Sequence, residues 1–323
     1  MNAKENYLRA LHRDHPQWVP YGGEDVVVML HPPVVERPNV EALDAFGVKW
    51  LFSADAEGGT YPAETDLVIT DIERWQEQIR LPDVSGMDFF AVRKHAESVD
   101  RSQHLLSAFC EMGLFERSYL LLGMDEALVS YLTNPSEMYD LIGAIADYKI
   151  ALLERFYAET HFDILWFGDD WGTQRNLFLP PDCWRAIIKP HLKRIYDTMK
   201  VHGVFIDQHS CGFIEPIMGD LCELGADMWN PCQPCNDLTK LKAMYGAQIT
   251  FYGGIDSQFV LADPSKTPQD VEQEVKRCIE TLAPGGGYIA APSHSVPYDI
   301  KKLEAMERAV AKYGQAIYLL GGS

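Results

Sequence analysis

The sequence has no apolar run approaching the roughly 20 residues that a membrane-spanning helix needs. Its opening, "MNAKENYLRALHRDHPQW", lacks an apolar stretch behind its charges, so no signal peptide is expected. Positive charge is scarce: 28 Lys and Arg stand against 47 Asp and Glu, a net charge of -19. Such a surface repels phosphate backbones, which argues against nucleic acid as a partner. Cysteine is sparse and odd in number, at 110, 183, 211, 222, 232, 235 and 278. That fits free thiols in a reducing cytoplasm better than a disulfide framework. No Gly-rich phosphate loop follows an early strand, which weakens an open dinucleotide-binding sheet. There is no internal repeat, low-complexity tract or Gly/Pro/Ser-rich linker. A soluble cytoplasmic protein forming one domain over 1–323 is expected.

What is present is alternation. "VPYGGE" (19–24), "VKWLFSA" (48–54), "SYLLLGM" (118–124), "DILWFGDD" (163–170), "GVFIDQHSCG" (203–212), "DMWNPCQP" (227–234), "ITFYGGID" (249–256) and "YIAAPSHS" (288–295) read as strands or strand ends. Between most of them lie amphipathic helical patterns, over 135–160, 180–203, 268–287 and 296–320. The segment from about 75 to 115 has no clean pattern and reads as insertions over the mouth of the fold. About eight βα units predict an α/β chain folded as a single (β/α)8 TIM barrel with an N-terminal helical extension.

Active sites of such barrels sit where strands end and βα loops begin. Polar residues at those ends are Glu24, Asp169, Asp170, His209, Cys211, Cys232, Cys235, Asp256, Ser293 and His294. His209 and Cys211 are two apart, so in an extended chain both point the same way. Imidazole and thiolate are preferred zinc ligands, although an isolated His-x-Cys also serves ordinary packing. Asp169 and Asp170 follow an apolar run, where paired carboxylates are costly unless they bind something or share a proton. Asp170 could equally cap a helix, and Asp169 could pair with Arg175. Glu24 could ligate, act as a base or sit in water. Trp166, Trp171 and Trp229 lie close to the rim, where they could wall an aromatic pocket or pack in the core.

The stretch "QHSCGFIEPIMGDLCELGADMWNPCQPCNDLTKLKAMYGAQITFYGGID", followed by "GGGYIAAPSH", resembles the uroporphyrinogen decarboxylase superfamily. The similarity extends from "KENYLRALHRDHPQWVP" to the end and is strongest over 160–295. It implies a (β/α)8 barrel. One branch of that superfamily decarboxylates uroporphyrinogen without a cofactor; the other contains cobalamin-dependent methyltransferases. The decarboxylases carry the motif Pro-x-Trp-x-Met-Arg-Gln-Ala-Gly-Arg, whose arginines hold substrate carboxylates. Here the matching "VPYGGEDVVVML" has no arginine between Arg13 and Arg37.

The zinc methyltransferases of the superfamily use His-x-Cys and a later Cys at the last strand. His209 and Cys211 match the first two, and His294 stands where the last Cys would be. With one thiolate fewer, the site is better suited to polarising an oxygen than to carrying a thiol. The resemblance therefore implies the methyltransferase component of a corrinoid O-demethylase. Zinc on His209, Cys211 and His294 would serve a small aromatic methyl ether, with Asp169, Asp170 and Glu24 in catalytic roles and Trp166, Trp171 and Trp229 around the substrate. Cobalamin would arrive on a separate corrinoid protein, since this chain has no Asp-x-His-x-x-Gly motif. A thiol methyltransferase of the coenzyme M type and a metal-free decarboxylase are the alternatives. Oligomeric state stays open, a homodimer included, as does whether Cys232 or Cys235 joins the metal.

Overall fold

The computed structural model describes residues 1–23, 25–53, 59–294 and 298–320. Seven strands form one curled parallel sheet: β1 (Val27–Leu30), β2 (Leu105–Cys110), β3 (Ile164–Gly168), β4 (Phe205–His209), β5 (Met228–Cys232), β6 (Thr250–Ile255) and β7 (Tyr288–Pro292). They neighbour one another in chain order, every pair parallel. Tyr21 then bridges in parallel to Ala290 of β7. The Gly22 N–H donates to the Ala290 carbonyl (2.7 Å), and the Ala290 N–H to that of Pro20 (2.9 Å). The segment leading into β1 thus meets the last strand, and the sheet takes a TIM-barrel-like form.

Three expectations about strands change. Of the strand expected over 19–24, the described residues 19–23 keep only the bridge at Tyr21. The strand at Lys49–Ser53 exists but pairs antiparallel with Ala42–Leu43 and Gly59–Pro62 in a separate three-stranded sheet. The run at 118–124 belongs to a helix, Leu114–Leu122. Conversely, β1 and β2 lie where no strand was expected. Short, largely apolar runs such as "LLSAFC" and "SYLLLGM" have no period to read, so strand and buried helix look alike. The segment 75–115 accordingly holds helices Trp75–Gln78 and Phe90–Ser98 and a barrel strand.

The helices fare better. Pro135–Thr160 and Pro268–Leu282 follow the expected patterns. The pattern over 180–203 divides into Pro181–Ile187 and Lys189–Lys200. Pro190 lacks an N–H and suits the first turn of the second helix rather than the interior of one long helix. The N-terminal helix, Ala3–His12, plugs the barrel floor: Tyr7 and Leu11 pack with Val26, Leu105, Ile164, Met228 and Ile289 near the strand starts. No helix among the described residues is long and apolar enough to cross a membrane.

The small antiparallel sheet is tied to the barrel by a buried ionic cluster. Arg117, 0% exposed, donates to Asp44 Oδ2 (2.6 Å) and Glu36 Oε2 (3.2 Å). Lys149, also 0% exposed, donates to Glu36 Oε2 (2.6 Å) and to the Glu111 carbonyl (2.9 Å). Asp44 receives the N–H groups of Phe46 and Val48 and the Trp50 indole as well. Buried charges persist only when paired and hydrogen-bonded in this way.

Candidate metal centre

On β4, Gln208 is buried and its amide accepts from the Tyr196 hydroxyl on helix Lys189–Lys200. Alternation then turns Asp207 and His209 to the opposite face, into the barrel. β3, in register with β4, ends at Gly168 opposite His209. The loop that follows it brings Asp170 to the same place.

Ligand atoms of Asp170, His209 and Cys211 lie within 4.8 Å of one another, a group of His, Cys and carboxylate donors able to hold a metal ion. Cys211 Sγ is 3.6 Å and Asp170 Oδ1 is 3.7 Å from His209 Nε2. Asp170 Oδ1 also receives the Cys211 N–H (2.7 Å), which fixes the carboxylate against the strand end. On the other side of the ring, His209 Nδ1 lies 2.7 Å from Asn230 Oδ1, and Asn230 Nδ2 donates to Asp207 Oδ1 (2.6 Å).

The surrounding loops are stitched together. The Phe213 N–H donates to the Thr173 carbonyl (2.7 Å). The Gly212 N–H donates to Gln233 Oε1 (2.7 Å), and Asn236 Nδ2 donates to the Gly212 carbonyl (3.0 Å). Gly212 has φ +81°, and a Cβ there would sit 2.2 Å from the Gly172 carbonyl oxygen. Only glycine lets the two loops cross this closely.

Burial pushes the His209 ring toward its neutral form, opposed by Asp170 and the Asn230 bond and reinforced by His294. Burial, then Asp170, raises the Cys211 thiol, with Glu116 and Cys235 adding to it. A neutral imidazole is the form that ligates. A divalent cation among these donors would reverse the thiol's shift, because a coordinated thiol is deprotonated outright. Imidazole nitrogen, thiol sulfur and carboxylate oxygen converging on one small volume is a donor set that fits zinc. Asp207, buried beneath His209, is raised to about 7 by burial, partly offset by its bond from Asn230.

The two neighbouring aspartates part company. Asp169 is buried, and its carboxylate receives the N–H groups of Phe115 (3.1 Å) and Glu116 (2.9 Å) and the Trp171 indole (2.9 Å). It therefore caps helix Leu114–Leu122, while Asp170 faces His209. Burial raises Asp169 to about 6 against the pull of those donors. Glu116, in that helix's first turn, lies beside Asp170, and burial together with Asp170 drives its carboxyl well up.

The tryptophans also separate. The Trp166 ring lies 4.6 Å from His209 and stacks on Phe109 at 4.6 Å and 17°; Phe109 in turn meets His31 at 4.8 Å. Trp166 and Phe109 are both half-buried. Trp171 and Trp229, 2% and 0% exposed, pack in the core against Trp184 and Phe251 instead. His294 is exposed; its backbone N–H donates to Ser257 Oγ (2.8 Å), and its ring stands outside the 4.8 Å group while acting electrostatically on His209. Cys232 is buried and Cys235 half-buried, both outside that group. Glu24 lies outside the described residues. Asn230, Asp207, Glu116 and Phe109 escaped the sequence reading. Asp207 carried a signal, since it precedes His209 and Cys211 at the same two-residue step.

A parallel barrel with polar donors gathered at the C-terminal ends of its strands has its candidate site where barrel enzymes keep theirs. A family model described as uroporphyrinogen decarboxylase (URO-D) matches residues 44–313, and the chain belongs to that family. Among solved structures, a methyltransferase from Methanosarcina mazei superposes with a TM-score of 0.64 at 15% identity. The match covers 97% of this chain and 99% of that one, and it shows the shared fold. A B12-independent methionine synthase from Shewanella sp. W3-18-1 matches at TM-score 0.47 and 12% identity, over 71% of this chain and 67% of that one. No curated protein sequence matches the chain.

Proposed function

We propose that this protein is a zinc-dependent methyltransferase, moving a methyl group from a methoxylated aromatic to the cob(I)alamin of a separate corrinoid protein. The observation that carries the reading is the convergence of Asp170, His209 and Cys211 beside a stacked aromatic pair at the barrel mouth. The fold shared with a methyltransferase supports it.

Zinc held by His209, Cys211 and Asp170, with His294 as a further candidate ligand, would supply Lewis-acid help to a departing ether oxygen. The chain's own residues do the rest. His209 offers Nε2 toward Cys211 and Asp170. Asp170 is held in place by the Cys211 N–H. Asp169 secures the start of helix Leu114–Leu122, and with it Glu116 beside Asp170. Phe109 and Trp166 offer a flat apolar wall on which an aromatic ring can stack. Asp170 sets a carboxylate in the mouth beside His209 and Cys211, and no arginine lies between Arg13 and Arg37. A substrate with many carboxylates would be repelled there, which disfavours porphyrinogen decarboxylation.

Zinc content by mass spectrometry, and methylcobalamin absorbance on incubation with a methoxyphenol and free cob(I)alamin, test the reading together. Stoichiometric zinc and methyl transfer are expected, both lost in Cys211→Ser. Full activity in that variant, or wild-type protein with no zinc affinity, refutes the proposal. Transfer seen only with a thiol would favour the coenzyme M type instead.

A further inference from the structure

Asp207 and Asn230 have no assigned role, yet both are buried, 4% and 8% exposed, directly behind His209. Two short contacts join the three: Asp207 Oδ1 to Asn230 Nδ2 at 2.6 Å, and Asn230 Oδ1 to His209 Nδ1 at 2.7 Å. A carboxylate only accepts hydrogen bonds, whereas an amide has one donating and one accepting end. Asp207 therefore takes the amide's NH2 and leaves its oxygen for the ring. An oxygen facing Nδ1 requires a proton on Nδ1. That proton leaves Nε2 with a free lone pair, and Nε2 is the atom facing Cys211 and Asp170. The reverse amide orientation would set an oxygen against the Asp207 carboxylate and an NH2 against Nδ1, putting the ring proton on Nε2.

We propose that Asp207, acting through Asn230, fixes the His209 tautomer with its proton on Nδ1 and so reserves Nε2 as a ligand atom. Asp207 and Asn230 are positioning residues; neither is among the three residues whose ligand atoms converge. The register supports this division. Asp207 and His209 are two apart on β4 and share its inward face. Asn230 lies opposite His209 on β5, so one adjacent strand bridges both. The consequence for metal binding rests on the zinc reading above, but the tautomer does not. Losing such a partner behind a ligating histidine typically costs about 10–100-fold in metal affinity.

The test is 15N–1H correlation spectroscopy of the histidine rings in chelator-treated protein at about pH 9, where carboxylates are ionised. The His209 signal is assigned by its absence in His209→Asn. Wild type is expected to show the proton on Nδ1. Asn230→Leu should move the proton to Nε2 and lower zinc affinity about 10–100-fold in chelator competition. Asp207→Asn, which no longer dictates the amide's orientation, should give a mixture and serves if Asn230→Leu fails to fold. A wild-type ring protonated on Nε2, or Asn230→Leu and Asp207→Asn both unchanged, overturns the proposal. Cys211→Ser separates the two ideas: it should lose zinc and keep the tautomer. Unaltered zinc affinity in Cys211→Ser would end the metal reading while the tautomer measurement still decides this one.

Discussion

Gly212→Ala is the sharpest probe of how the loops build the site. The backbone there has φ +81°, a left-handed conformation that costs a residue with a Cβ roughly 1–2 kcal/mol. The added carbon would lie 2.2 Å from the Gly172 oxygen, 2.3 Å from its carbonyl carbon and 2.8 Å from its Cα. All three are backbone atoms, so no side chain can swing aside and the loops after β3 and β4 must separate. Separation breaks the Phe213-to-Thr173 and Gly212-to-Gln233 hydrogen bonds. Each is worth about 1 kcal/mol net. The expected loss is therefore about 3–4 kcal/mol, a large share of the roughly 5–15 kcal/mol that holds a typical domain. Cys211 is the adjacent residue, so on the zinc reading proposed above metal affinity should fall as well. Urea unfolding followed by tryptophan fluorescence gives the first number, and chelator competition the second. A variant within about 0.5 kcal/mol of wild type, the bound for a site free of such features, would refute the crossing as described.

Arg117→Met should destabilise the protein by about 3 kcal/mol, the low end for breaking a buried ion pair. The low end applies because Asp44 keeps two backbone N–H groups and an indole, and Glu36 keeps Lys149. A loss under about 1 kcal/mol in denaturant unfolding, the scale of an exposed pair, would show that the cluster does not anchor the small sheet. Lys242 supplies a pH signature. Burial, then the neighbouring Arg13, lowers its folded pKa from 10.5 to about 8. The unfolded chain therefore holds more protons between about pH 8 and 10.5, so this group's destabilising contribution is full below pH 8 and fades as pH rises. Stability of wild type minus that of Lys242→Met should climb by about 3 kcal/mol across that window. A flat or falling difference contradicts the assignment.

Legibility followed the physics of each segment. His209 and Cys211 were readable because a two-residue step on a strand end fixes a shared direction. Asp170 was readable as a costly carboxylate after an apolar run. Its separation from Asp169 was not, because the cap that claims Asp169 comes from a helix start more than 50 residues earlier. β2 and helix Leu114–Leu122 were misplaced because short apolar runs carry no period that separates strand from buried helix. Trp166 on β3 could not be told from Trp229 on β5 for a different reason. Strands buried on both faces read as continuous apolar runs, so the sequence carries no phase to say which side faces the barrel. Asn230 was hidden by kind: a lone amide in "MWNPC" gains meaning only from the register that sets it opposite His209.

That register explains the shape of the mouth. Gly168, His209 and Asn230 stand level on β3, β4 and β5. At Gly168 the side-chain space is filled from below: a Cβ there would meet Trp166 Cζ3 at 2.7 Å and Cη2 at 2.9 Å. The indole of Trp166 can therefore rise over its own strand and reach the His209 ring at 4.6 Å. Its other neighbour is Phe109, so the same displacement produces the flat wall. On the far side of His209 the level position carries an amide, not an apolar group, and that amide is bonded to a carboxylate. One histidine is thus pressed between an aromatic surface and a polar relay, with its remaining nitrogen turned to Cys211 and Asp170. Substitutions at the level positions should consequently divide by strand. Those on β3 act on what stacks in the mouth, and those on β5 act on how His209 presents its lone pair.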